Sequence, residues 1–274
     1  MKILITGHRG YIGSHLYQKL IELKHDVVGI DIKEGNDVLH CLPQEYFDCV
    51  FHMAAFPKVS FSIEKPSYTL KQNVLATSVL LEWAKENKIK KVIFSSSAAA
   101  TGIIGEPVSP YGAHKLMSEI ECKLYSKLYG LDTVCLRYFN VYSEDQKYGG
   151  SYTTAISSWI EMIRIGEKLR LDGDGNQTRD FIHVDDIVSA NIFCMNYSKK
   201  FNGETYDIAT GQCTPLNFIK DYINETNDVE WKYAKKRIGD IMHSTANVDK
   251  IKVHGWQSKI KLIDGLKKCF GEKK

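Results

Sequence analysis

Lys2-Ile3-Leu4-Ile5-Thr6-Gly7-His8-Arg9-Gly10-Tyr11-Ile12-Gly13 opens the chain, and the later elements can be placed relative to this segment. Lys2 to Thr6 is an apolar, β-branched run ended by glycine, the pattern of a strand buried on both faces. From about Tyr11 to Leu23 the period becomes helical, with Ile12, Leu16, Leu20 and Leu23 near one stripe. Gly7 permits a tight turn out of the strand, Gly10 lets backbone approach a pyrophosphate, and Gly13 lets the helix pack closely on the sheet. The helix N-terminus supplies positive potential for phosphates. Asp26-Val27-Val28-Gly29-Ile30 reads as a second strand, closed by Asp31. An acidic residue there accepts hydrogen bonds from ribose hydroxyls and repels a 2′-phosphate, so the expected dinucleotide is NAD and not NADP. Arg9 pulls the other way, and Asp31 is expected to prevail.

The alternation continues outward. Strands are expected at Cys49–Met53, Lys91–Ser95 and Thr133–Tyr138, and helices at Asn73–Glu86 and about Gly112–Tyr129. Alternating strands and helices imply an α/β fold with a doubly wound parallel sheet. After Asn140 the chain has more turns and less strict alternation. Residues 1–140 are therefore read as the sheet domain, with a return at about 181–210. Residues 141–180 and 211–274 are read as a smaller C-terminal, substrate-binding lobe.

Composition bounds the function. The 274 residues are 43% hydrophobic and 25% charged, with a formal net charge of +3, too small and too dispersed for nucleic acid as the main partner. Seven cysteines with no Cys-x-x-Cys spacing argue against a disulfide framework and a zinc site, and suggest a reducing cytoplasm. No apolar run approaches the roughly 20 residues that span a bilayer. The nine histidines show no metal spacing. Asp172-Gly173-Asp174-Gly175-Asn176 imitates the start of a calcium loop. It carries Gln177 where glycine is required and His183 where glutamate is required, so a turn is expected instead.

Tyr111 and Lys115 in Tyr111-Gly112-Ala113-His114-Lys115 are four apart on a helix and share a face. A free phenol with a pKa of about 10 is a poor base at neutral pH. A nearby ammonium and a positive nicotinamide ring would favour the phenolate, making the pair a proton-transfer device. Ser95-Ser96-Ser97 ends a parallel strand just upstream, where ligands bind in such sheets, and a hydroxyl there can hold a substrate oxygen.

With these segments in place, the chain resembles the extended short-chain dehydrogenase/reductase family, in particular its nucleotide-sugar epimerases of the UDP-glucose 4-epimerase type. The marks are the glycine loop, Phe51-His52-Met53-Ala54-Ala55, Phe94-Ser95-Ser96-Ser97-Ala98, Pro110 to Lys115, Arg137-Tyr138-Phe139-Asn140, Arg179 to Asp186, and Arg237-Ile238-Gly239-Asp240. The resemblance implies a Rossmann-type fold, NAD as cofactor, a UDP-sugar as substrate and a homodimer built on a bundle of the helices 73–86 and 112–129. It makes Ser97 the active-site hydroxyl, Tyr111 the base and Lys115 its partner. Gly7, Arg9, Gly10, Tyr11, Ile12, Gly13, Asp31, Asp37, Val38, Ala54, Ala55, Asn73, Tyr111 and Lys115 are implied cofactor contacts, with Asp37 and Val38 at the adenine edge. Asn140, Arg179 and Arg237 are implied at the substrate diphosphate, Asp240 at the nucleoside ribose and Ser244 beside the sugar C2 substituent. Guanidinium groups suit phosphate oxygens, and a carboxylate suits vicinal hydroxyls.

The chain departs from the family pattern in two short stretches, Asp31–Asp37 and Ser97–Tyr111. In addition, Ala100-Thr101 replaces the usual Val-Tyr, which puts sugar choice in doubt. Related 4,6-dehydratases carry an Asp-Glu pair directly after the active-site hydroxyl residue. Ala98 and Ala99 stand there, so elimination lacks its acid and base. A net keto-sugar reductase and a non-catalytic nucleotide-sugar or NAD sensor remain alternatives on sequence.

Overall fold

The structure is a computed structural model and describes residues 1–102, 105–146, 154–235, 242–244 and 246–272. Its chain divides into two compact units, Met1–Tyr138 with Ile187–Asp207, and Phe139–Asp186 with Ile208–Lys274.

The first unit begins with β1 (Lys2–Thr6), α1 (Tyr11–Glu22), β2 (Asp26–Ile30) and β3 (Cys49–His52). Then come α2 (Val59–Glu64), α3 (Pro66–Leu70), α4 (Ala76–Glu86), β4 (Lys91–Ser97), α5 (Pro110–Tyr129) and β5 (Asp132–Tyr138). Strands β2, β1, β3, β4 and β5 pair in parallel in that order. A sixth strand, described below, lies beside β5. Because β2 and β3 flank β1 on opposite sides, the winding reverses at β1, which is where sheets of this class open a crevice for ligands.

Both faces of the sheet are covered, which is why its strands are apolar throughout: Ile3, Leu4, Ile5, Val50, Phe51, Ile93 and Val134 are fully buried. Leu80, Leu81, Ala84 and Cys122 pack from α4 and α5 against Leu4, Val50, Val92 and Cys135. Cys49, Cys122, Cys135 and Cys194 are buried, Cys41 and Cys213 are exposed, and none of the seven is in a disulfide.

Three element boundaries correct the sequence reading. The helix expected at Asn73 starts at Pro66, whose fixed φ suits a first helical position. Lys71–Leu75 between α3 and α4 is π-helical, and the wider turn breaks the 3.6-residue period. Strand β4 runs on to Ser97, and α5 starts at Pro110, capped by Ser109 Oγ accepting from Gly112 N at 3.2 Å.

The second unit contains β6 (Asn140–Tyr142), α6 (Ala155–Arg164), β7 (Leu169–Asp172), β8 (Thr178–Arg179) and β9 (Phe181–His183). Helix α7 (Val184–Asn196) and strand β10 (Glu204–Ile208), the sixth strand of the sheet, straddle the division. Then follow β11 (Thr214–Pro215), α8 (Leu216–Thr226), β12 (Trp231–Ala234), α9 (Asp249–Lys252) and α10 (Leu262–Phe270). Its strands pair two by two, β6 with β9 and β7 with β12 in parallel and β8 with β11 antiparallel. They surround a core of Tyr142, Trp159, Phe181, Ile219, Tyr222 and Leu266. The Asp172 segment forms a turn between β7 and β8, with Asp174 accepting from its own Asn176 backbone N–H at 3.0 Å. Among the described residues, no cluster of His, Cys, Asp or Glu could hold a metal ion, and no helix is long and apolar enough to cross a membrane.

Candidate active site

The glycine loop leaves β1 through Gly7, whose φ is +77°, with its N–H on Ile30 O at 2.7 Å. A Cβ on Gly7 would lie 2.7 Å from Ala54 N, so the loop lies directly against the chain leaving β3. A Cβ on Gly13 would overlap Gly7 O, which holds α1 close to the turn. No side chain caps α1 at Gly10, whereas α5 and α6 are capped by Ser109 and Thr154. The first-turn amides of a helix have no intrahelical acceptor. This uncapped N-terminus behind a glycine-flanked turn suits a diphosphate, so these residues fit a dinucleotide.

Asp31 is buried at the end of β2 and accepts from Arg9 N and Lys33 N, each at 2.9 Å. Residues 32–34 form a 3-10 turn that folds back on the loop. Lys33 Nζ donates to Arg9 O at 2.9 Å, and Glu34 pairs with Arg9 Nε at 2.5 Å and His8 Nε2 at 3.3 Å. His8 in turn packs on Gly29, where any side chain would strike the imidazole. Arg9 is thus engaged by Glu34. Asp37 accepts from Leu39 N at 3.0 Å and Gln72 Nε2 at 3.1 Å, and its neighbour Val38 is buried.

A directional hydrogen-bond chain braces this region. Ala54 N–H donates to Thr6 Oγ1 at 3.3 Å, which lies 2.7 Å from His52 Nδ1. His52 Nε2 lies 3.0 Å from Thr77 Oγ1, which donates to Asn73 O at 2.6 Å. Since the Thr77 proton is committed to Asn73, Nε2 must carry the hydrogen. Burial pushes the imidazole down to about 3, so His52 is neutral and Nδ1 accepts from Thr6. The Asn73 side chain, expected at the cofactor, exchanges hydrogen bonds with Phe56 N at 2.8 Å and Phe56 O at 3.2 Å, fixing the chain after Ala55.

Tyr111 and Lys115 lie on the first two turns of α5, both buried. Lys115 Nζ donates to Ser95 O at 2.6 Å and sits 4.6 Å above the Phe94 ring. Burial pulls its ammonium down to about 8, against the opposing pull of Glu119. Ser97 ends β4 and its Oγ accepts from Ala99 N at 3.2 Å, opening a short turn over Ala98–Ala100. A Cβ on Gly112 would overlap Ala99 O, so the start of α5 packs directly on that turn and draws Tyr111 and Ser97 into one neighbourhood. Ser62 Oγ accepts from Tyr111 N at 3.1 Å. One turn beyond Lys115, Glu119 holds Arg137 Nη2 at 2.6 Å and Nε at 2.8 Å and accepts from Ser96 Oγ at 2.5 Å. That network locks α5 to β4 and β5. His52, Ser62, Glu34 and Glu119 contact the candidate segments, and the sequence reading did not single them out. Only Phe51–Ala55, quoted for its resemblance, pointed at one of them.

In the second unit, Asn140 Nδ2 donates to Asp180 O at 3.2 Å, and Arg179 on β8 donates from Nη1 to Thr178 O at 2.8 Å. The buried Asp180 carboxylate accepts from Thr210 N, Thr210 Oγ1 and Gly211 N at 2.9, 2.7 and 2.8 Å, which holds the β8–β9 junction. Thr178 N donates to Met242 O at 2.8 Å, and Cys213 Sγ lies 3.5 Å from Ser244 O, which ties the Ser244 segment to β8 and β11. Arg237 and Asp240 lie outside the described residues. His183 Nε2 lies 3.2 Å from Glu144, and its Nδ1 accepts from Asp185 N at 3.2 Å at the start of α7.

Comparison with known proteins places these observations. Residues 3–209 match the NAD dependent epimerase/dehydratase family. A putative UDP-glucose 4-epimerase of Methanocaldococcus jannaschii is 33% identical over 300 residues, covering 97% of this chain and 96% of that relative. The solved UDP-N-acetylglucosamine 4-epimerase of Methanobrevibacter ruminantium, in complex with UDP-N-acetylmuramic acid, is 30% identical. It covers 98% of this chain and 96% of its own, with a TM-score of 0.88. The UDP-glucuronic acid 4-epimerase of Bacillus cereus, solved with UDP-glucuronic acid and NAD, is 29% identical and covers 98% of each chain, with a TM-score of 0.87.

Proposed function

This chain belongs to the NAD dependent epimerase/dehydratase family, and we propose that it epimerises a nucleotide-diphosphate sugar, a UDP-sugar, at C4 through a transient keto sugar. The observation that carries this reading is the packing of α5 on β4, which sets buried Tyr111 beside the Ser97 turn and seats Lys115 Nζ on Ser95 O. The 4-epimerase relatives support the class of reaction. Gly7, Gly10, Tyr11, Ile12 and Gly13 are assigned to the NAD diphosphate, Arg9 and Asp31 to the ribose end, Asp37 and Val38 to the adenine, and Ala54, Ala55 and Asn73 to the remaining wall. When bound there, NAD supplies a reversible hydride acceptor.

Tyr111 removes the proton of the C4 hydroxyl as that carbon is oxidised, and returns it when the carbon is reduced on its other face. Ser97 Oγ–H hydrogen-bonds the same oxygen in both directions. The Lys115 ammonium favours the phenolate through its charge. Ala98 and Ala99 offer no acid or base, so water is retained and the net change is inversion. Epimerisation requires the sugar to turn while the nucleotide stays fixed. Affinity therefore falls to Asn140, Arg179 and Arg237 at the diphosphate and Asp240 at the nucleoside ribose. Ser244 is small enough to leave room for an N-acetyl group at C2.

The exposed residues Met117, Ile120, Leu124 and Leu128 recur at three- and four-residue spacing along α5, with Tyr68 and Leu75 exposed on the preceding helical stretch. We assign this apolar face to a second copy of the chain. The free cysteines suit a reducing, cytoplasmic compartment.

The decisive test is a panel of UDP-glucose, UDP-N-acetylglucosamine and UDP-glucuronic acid with product analysis by NMR. C4 epimers form with no net change in NADH absorbance, and Tyr111→Phe lowers the rate by about 10²–10⁴ while NADH binding persists. Steady consumption of NADH, or full activity in Tyr111→Phe, would overturn the proposal.

A further inference from the structure

We propose that Glu34 is the specificity residue that excludes a 2′-phosphate from the dinucleotide site, by holding Arg9 away from it. The inference rests on the NAD reading above and concerns how that choice is made. Two cations stand at the ribose end of the loop, Arg9 and Lys33. The turn and the loop tie each other's cation, Arg9 Nε to Glu34 Oε1 at 2.5 Å and Lys33 Nζ to the Arg9 carbonyl at 2.9 Å. The second oxygen of Glu34 rests 3.3 Å from His8 Nε2, so the carboxylate is gripped by two consecutive residues of the loop.

A 2′-phosphate brings about −1.5 to −2 charges and needs a guanidinium fork or an ammonium to accept it. On a ribose held by Asp31 it would find the one guanidinium of the loop already paired with Glu34. With Glu34 neutral, the Arg9 side chain, 60% exposed, is released to meet that phosphate. Ion pairs with an exposed partner contribute little to stability. Glu34 therefore acts on selectivity, and its loss should leave the fold intact.

The experiment is titration of cofactor-stripped, full-length protein with NADH and with NADPH, followed by nicotinamide fluorescence. In Glu34→Gln the NADPH Kd falls at least tenfold while the NADH Kd stays within threefold, and Glu34→Ala gives the same sign. Adding Arg9→Ala to Glu34→Gln returns the NADPH Kd to its starting value. An unchanged NADPH-to-NADH ratio in both single variants overturns the proposal, as does a gain that survives loss of Arg9. Failure of the unsubstituted protein to bind either dinucleotide would instead overturn the cofactor reading itself, and this inference with it.

Discussion

Acidification from pH 7 to pH 5 should loosen the cofactor cradle through one residue, His52. Its side chain is 1% exposed, and both ring nitrogens are committed to threonine hydroxyls, Nδ1 accepting and Nε2 donating. Burial, and secondarily the Lys115 charge, push the imidazole down to about 3. In the unfolded chain an imidazole titrates near its ordinary 6.5. Between those values the unfolded state binds the extra proton, so stability is intact above about 6.5 and falls as pH drops through that window. Each pH unit is worth about 1.4 kcal/mol, so roughly 2 kcal/mol is lost by pH 5 and about 5 kcal/mol by pH 3. Against a typical total of about 5–15 kcal/mol, the loss at pH 5 is substantial.

The assay is urea unfolding at pH 7 and pH 5 of the natural protein and His52→Gln, whose amide can accept from Thr6 and donate to Thr77 without titrating. Carboxylates titrate in both proteins and cancel in the difference. The natural protein should lose about 2 kcal/mol more than the variant between the two pH values. Equal losses would refute the argument, since a neutral, fully desolvated imidazole would then not be the titrating group.

Two further outcomes follow from the site and its outer face. Burial holds Lys115 near 8, so its ammonium is present below that pH and lost as pH rises through it. The pH–rate profile should fall on the alkaline side near that value, and Lys115→Met should abolish that limb and lower turnover by roughly 10²–10⁴. Leu124→Glu on the apolar stripe of α5 should shift sedimentation velocity from dimer to monomer; a monomer in the unsubstituted protein would sink the pairing.

The first unit was legible from sequence because its signals are local. β1, the glycine loop, α1 and β2 follow one another without interruption, and each carries its own period or turn chemistry. The start of α3 at Pro66 was hidden because the π turn at Lys71–Leu75 throws the apolar stripe out of phase before α4 restores it. Strands β8 and β9, two and three residues long, are too short to display a period. Among the candidate site residues, Tyr111 and Lys115 were picked out by helical spacing, whereas Ser97 was singled out of its serine run only by the family resemblance. Glu34 and Glu119 did not, because their partners Arg9 and Arg137 meet them only after the chain has folded back. Asn73 was named only through the family resemblance, and its engagement with the Phe56 backbone depends on a crossing that periodicity cannot encode.

The distribution of thiols gives the molecule a built-in stopwatch. Cys49 on β3 and Cys194 on α7 lie inside the first unit with Cys122 and Cys135, and burial raises the Cys49 thiol to about 12 and drives that of Cys194 higher. Alkylating reagents attack thiolates, so these sulfurs stay silent while the sheet is closed. Exposed Cys41 and Cys213 label first, partly buried Cys269 reports on the second unit, and the four slowest additions time each excursion of the sheet into the open, with no dye or tag attached.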